Sequence, residues 1–106
     1  MKYNKLVRDK IPEIIKNNGE EPIIRILDDI EYKKELEKKL FEEYNEVIES
    51  SNKDRLEELA DMLEVMKCLA ELEGKTIEDI IEISNDKNLK RGSFKDKIYL
   101  EKVLKK

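Results

Sequence analysis

Two pairs of carboxylates stand in mirror order about Asn52. Glu43 and Glu46 lie nine and six residues before it, and Glu58 and Asp61 lie six and nine after it. Residues three apart are neighbours on a helix surface, so each pair projects from one side of its helix. A turn near Ser51-Asn52 would bring the two pairs to matching heights in an antiparallel helical hairpin. Four converging carboxylates repel one another unless a cation sits among them. Hard oxygen donors of this kind suit Mg²⁺ or Mn²⁺.

The rest of the chain agrees with a mainly α, antiparallel helical bundle. Charged residues make up 45% of the sequence, against three glycines and two prolines, a balance typical of helical proteins. A length of 106 residues predicts one domain, 1–106, with one modest core. Pro12 suits the first turn of a short helix over Pro12 to Asn17, stopped by Asn18-Gly19. Pro22 to Leu27 is β-branched and reads as extended. Asp28 or Asp29 can cap a second helix that runs to Glu49. Its apolar face carries Leu36, Leu40, Tyr44, Val47 and Ile48, with Glu43 at the edge and Glu46 further round. A connection over Ser50 to Lys53 follows, with Asn52 as the candidate cap.

The third helix, Asp54 to Glu73, has apolar residues on two sides. Leu56, Leu59, Met62, Leu63, Met66 and Leu69 fill one broad sector with Ala70. Val65, Cys68 and Leu72 form a second stripe, shared with Glu58 and Asp61. Glu57, Glu64, Lys67 and Glu71 make a narrow polar strip. A helix of this kind is expected to be covered on both sides. Burying its two acids is costly without a cation. Gly74 ends it, and Thr76 opens a fourth helix to Leu89 with a Thr76/Asp79 capping box. Gly92 breaks the chain again. The segment from Phe94 to Leu104 leaves helix and strand both open; as a strand, near 96–103, it would pair with 22–27.

Several chemistries are excluded. The chain has no histidine, so an imidazole base, a His-based zinc site and a Ser-His triad are absent. Cys68 is the one cysteine, and it reads as a small core residue among acids that disfavour thiolate. Scattered glycines exclude a phosphate-binding P-loop. The net charge is −4, which gives no field for nucleic acid. Cations gather near the ends, in Lys2 to Lys10 and Lys87 to Lys106. Lys87, Asn88 and Arg91 can hold phosphate oxygens, although cations also gather at helix C-termini because of the macrodipole. Lys5, Arg8 and Lys10 form a second anion-binding candidate, against the alternative of a solvated basic strand. The start lacks a signal-peptide apolar run, and no segment has membrane-spanning length. The expected location is cytoplasmic.

The run Glu42-Glu43-Tyr44-Asn45-Glu46, followed a hairpin later by Glu58-Leu59-Ala60-Asp61, resembles the MazG-like superfamily of all-α nucleoside triphosphate pyrophosphohydrolases. Tyr3-Asn4-Lys5-Leu6-Val7-Arg8-Asp9-Lys10-Ile11-Pro12 and Lys90-Arg91-Gly92-Ser93-Phe94 resemble its phosphoribosyl-ATP pyrophosphohydrolase-like branch. The resemblance implies cleavage of the α–β phosphoanhydride of a nucleotide, giving a monophosphate and pyrophosphate. It implies Mg²⁺, with Mn²⁺ as a substitute, held by Glu43, Glu46, Glu58 and Asp61, with Lys5, Arg8, Lys87, Asn88 and Arg91 toward the phosphates. It also implies a homo-oligomer, dimer or tetramer, and roles that include removing non-standard nucleotides. The rival expectation is a non-catalytic or regulatory helical module that kept the fold and binds a nucleotide or another protein.

Overall fold

A computed structural model of the chain describes residues 3–106. Lys2, counted above among the N-terminal cations, lies outside the described residues. Four helices follow in order: α1 (Ile11–Asn17), α2 (Asp29–Glu49), α3 (Asn52–Leu72) and α4 (Ile77–Arg91). Among the described residues there is no strand. The architecture is all-helical.

Local chemistry sets most helix ends. Pro12 occupies the first turn of α1, where its missing N–H leaves nothing unsatisfied. Asp28 caps α2, its Oδ1 accepting from the Glu31 N–H at 2.8 Å. Thr76 and Asp79 form the expected box at α4: the Asp79 N–H donates to Thr76 Oγ1 at 3.2 Å, and the Thr76 N–H donates to Asp79 Oδ2 at 2.9 Å. These two bonds satisfy donors that the helix cannot satisfy itself, and the backbone bond holds the Asp79 carboxyl below its usual range.

The turn between α2 and α3 differs from the expectation in one respect. Asn52 is not the cap. Ser51 takes that position without a side-chain bond, and Asn52 begins α3 with φ +53°. Asparagine tolerates this left-handed backbone better than most residues. The turn is closed from α3: Arg55 Nε and Nη2 donate to the Ser50 carbonyl at 3.2 and 3.0 Å. That carbonyl is among those the end of α2 leaves unsatisfied.

α2 and α3 each have 21 residues, roughly 31 Å at 1.5 Å per residue. They pack along each other as the antiparallel hairpin, and α4 rests on α3. The buried apolar residues are Leu36, Val65 and Ala70. The face of α3 that meets α2 is the narrower stripe carrying Val65, Glu58 and Asp61. Much of the broad sector stays open: Leu56, Leu59, Leu63 and Met66 are 39–68% exposed, while Ala70 of the same sector is buried and Met62 and Leu69 are half-buried. The expected cover on both sides is therefore only partly supplied by this chain.

The segment read as extended, 22–27, and the C-terminal segment left open between helix and strand do not pair. Residues 20–28 and 98–106 form neither helix nor strand, and among the described residues 21–27 and 98–106 make no backbone–backbone hydrogen bond. They lie open in solvent with Ile23, Ile26, Ile98 and Tyr99 each at least 85% exposed. A strand needs a partner's backbone, and the chain folds neither segment onto the other.

The radius of gyration is 18.7 Å, against about 13 Å for a compact chain of this length. The accessible surface is 10307 Å², where a compact monomer of this mass exposes about 6,200 Å². So few contacts make each one matter. Leu36, 2% exposed, is the best-covered apolar side chain of the hairpin. Leu36→Ala should cost about 2–5 kcal/mol, measured as a lowered urea midpoint with unchanged slope.

Candidate metal centre

The hairpin brings three of the four expected carboxylates together. One oxygen from each of Glu43, Glu58 and Asp61 lies within 4.8 Å of the others. Glu43 comes from the middle of α2, while Glu58 and Asp61 come from adjacent turns of α3. Their mirror spacing about Asn52 places them at one level. Glu46 is exposed at the rim. Its charge still reaches the group, since it helps to raise the Glu58 carboxyl.

Burial distinguishes Glu43 from the many surface acids. It is 9% exposed and is the buried charged residue of the described chain. Desolvation pushes its carboxyl above the usual range, Lys39 opposes this, and Asp61, Glu58 and Glu46 add to it. Desolvation likewise raises Glu58, followed by repulsion from Glu46 and Asp61. A buried charge is stable only when neutralised, and of the three carboxylates Glu43 is the buried one. The donor set is all oxygen and excess negative, which fits Mg²⁺ or Mn²⁺ better than a softer metal.

Two cations already lean on the group. Arg8 Nη2 donates to Asp61 Oδ1 at 2.7 Å, tying the N-terminal arm to α3. Lys39 Nζ lies 3.8 Å from Glu43 Oε1 and 3.5 Å from Glu42 Oε2. Sequence reasoning had Arg8 as a phosphate ligand and missed Lys39. The signal for Lys39 was present, because residues four apart on a helix are neighbours.

The remaining expected residues lie elsewhere. Lys5 sits over the Tyr3 ring, 5.8 Å from its centre. Lys87, Asn88 and Arg91 are exposed in the last turns of α4. Lys87 and Arg91 line an open groove there with Ile83. Among the described residues, no hydrogen bond or ion pair joins these three side chains to the carboxylates. The sequence could pair residues by helical period, but not predict the path from α3 to the end of α4. Cys68 is half-buried. Burial pushes its thiol up, in line with a packing role. Burial and the Cys68 thiol together push the Tyr32 hydroxyl up to about 12.

No family model matches the chain, and no solved structure matches it. An uncharacterized protein of Mycolicibacterium smegmatis is 47% identical over 49 residues, 46% of this chain and 50% of that protein. The chain thus spans about half the length of the relative it matches. Among the described residues, no helix is long and apolar enough to cross a membrane.

The raised carboxyls make stability depend on pH with a definite sign. The folded chain keeps protons on Glu43 and Glu58 that the unfolded chain releases. Metal-free stability therefore falls as pH rises from the ordinary glutamate range through the raised values. Glu43→Gln should raise the melting temperature at neutral pH by several degrees and flatten this fall. Thermal melts in chelator from about pH 4 to about pH 8 check it, bracketing the range in which carboxylates ionise.

Proposed function

We propose that the chain is a metal-dependent nucleoside triphosphate pyrophosphohydrolase of the MazG-like kind, cleaving the α–β phosphoanhydride to a nucleoside monophosphate and pyrophosphate. The observation that carries this reading is the convergence of Glu43, Glu58 and Asp61 from two helices, with one of the three buried. Glu43, Glu58 and Asp61 would hold Mg²⁺ or Mn²⁺, with Glu46 joining from the rim. A bound divalent cation supplies charge neutralisation for the phosphates and acidifies an attacking water.

The protein's own groups supply the remaining needs of phosphoryl displacement, which are positioning and charge more than covalent chemistry. With no histidine in the chain, a carboxylate is the available base. Glu46 is exposed and free to receive a proton, and Glu42 stands beside it. Arg8 is within reach of the same carboxylates and presents a planar fork to a phosphate. Lys5 belongs to the same arm. Lys87, Asn88 and Arg91 serve the same triphosphate only where a second copy or a movement of α4 brings them to it. Removal of non-standard or surplus nucleotides is among the roles this reading carries.

A homo-oligomer, dimer or tetramer, belongs to the same reading. Leu56, Leu59, Leu63 and Met66 repeat at alternating spacings of three and four along the open side of α3. This is the pattern of a helix-pairing seam. The excess surface and the exposure of this stripe support a second copy there. A non-catalytic nucleotide-binding module is favoured by one observation, the Arg8–Asp61 contact at 2.7 Å, which gives the carboxylates a cation of the chain's own.

Pyrophosphate release from a panel of nucleoside triphosphates and phosphoribosyl-ATP, with Mg²⁺, Mn²⁺ or chelator, separates the two readings. Metal-dependent release is expected, and its absence from every substrate favours the module. Glu58→Gln and Asp61→Asn should each lower release more than about 100-fold, beyond the roughly 10–100-fold that losing an outer partner of a ligand costs. Glu64→Gln and Glu71→Gln, on the polar strip, should leave it within about twofold, as surface changes remote from the chemistry do. Leu59→Glu should shift the sedimentation coefficient to that of a monomer.

A further inference from the structure

We infer that the C-terminal segment 98–103 of one copy pairs as a β-strand with residues 22–27 of a second copy. Each segment is irregular, neither helix nor strand. Among the described residues, neither 21–27 nor 98–106 makes a backbone–backbone hydrogen bond, so both leave backbone donors and acceptors open to another chain. Both are also rich in apolar side chains that nothing covers. Ile23, Ile24 and Ile26 are 59–89% exposed, and Ile98, Tyr99, Leu100 and Val103 are 74–88% exposed. Such exposure in a 106-residue chain marks a contact surface rather than ordinary scatter.

Charge identifies the occupant. Residues 20–29 carry Glu20, Glu21, Asp28 and Asp29 against Arg25, a net −3. Residues 95–106 carry five lysines against Asp96 and Glu101, a net +3. Each segment repels its own kind and attracts the other. The alternation matches as well. Ile23, Arg25 and Leu27 share one side of an extended chain, and Tyr99, Glu101 and Val103 share one side of the other. Apolar residues flank a central charge in both, and the two charges are opposite. Opposite charges and apolar pairs facing across strands stabilise a ladder.

The pairing runs between copies because this chain does not make it within itself. The inference stands apart from the catalytic reading and from the α3 seam. Strand exchange would survive loss of either.

Hydrogen exchange on the full chain tests it. Amides of 22–27 and 98–103 should exchange slowly, as paired amides do. Tyr99→Pro, which removes a donor from an exposed segment, should abolish the slow exchange at 22–27 while α2 and α3 keep theirs. High salt should weaken the protection at both segments. Chains carrying Cys68→Ser with Ile23→Cys, mixed with chains carrying Cys68→Ser with Tyr99→Cys, should be joined by a short bis-maleimide into a mixed dimer. Fast exchange in both segments, protection at 22–27 that persists in Tyr99→Pro, or the failure of any mixed dimer to form would overturn the inference.

Discussion

A carboxylate stands where the α2–α3 hairpin would otherwise place an apolar side chain. Glu43 is 9% exposed, on the same helix as the 2%-exposed Leu36, and it faces Glu58 and Asp61 across the interface. This hairpin is the most extensive helix packing in the chain. Its core therefore has to be held together against repulsion among its own acids. Lys39 and Arg8 offset part of that repulsion from the edge. The hairpin that positions the site is also the element the site strains. A divalent cation, on the proposed reading, acts on both at once.

The shortage of covered apolar surface follows from the same arrangement. α3 spends its narrow stripe on α2, and that stripe contains two acids. Much of the broader apolar side stays exposed. The accessible surface exceeds that of a compact chain of this mass by about 4,000 Å². At about 25 cal/mol per Å² of apolar area, the apolar part of that excess is large beside the stability of a typical domain, about 5–15 kcal/mol. On the proposed reading, a second copy would cover part of it.

The mirror spacing of four acids makes the hairpin and its level legible in the sequence, because helical period and an antiparallel turn are local rules. Asp28, Thr76, Asp79 and Gly92 marked helix ends for the same reason. The side of α3 that meets α2 was legible as well, because the mirror spacing sets Glu58 and Asp61 opposite Glu43. How much of the broader apolar side would stay open was not, since both stripes read as apolar. Asn52 was misplaced by one position because a left-handed asparagine and a capping asparagine look alike in sequence. The α4 cations were grouped with the carboxylates by chemistry, yet helical rules carry no information on how α4 lies against α3.

Arg8 shows how a modest contact can be useful. Its pair with Asp61 is short, but the two side chains are 58% and 43% exposed. Pairs so open contribute about 0–1 kcal/mol. Arg8 can therefore leave Asp61 at small cost, and the guanidinium that quiets an acid in the free chain is equally suited to a phosphate oxygen. A buried, fully bonded arginine would have stabilised the hairpin more and been far harder to release. On the proposed reading, weakness of this pair is what lets the N-terminal arm exchange carboxylate for substrate without unfolding the helices behind it.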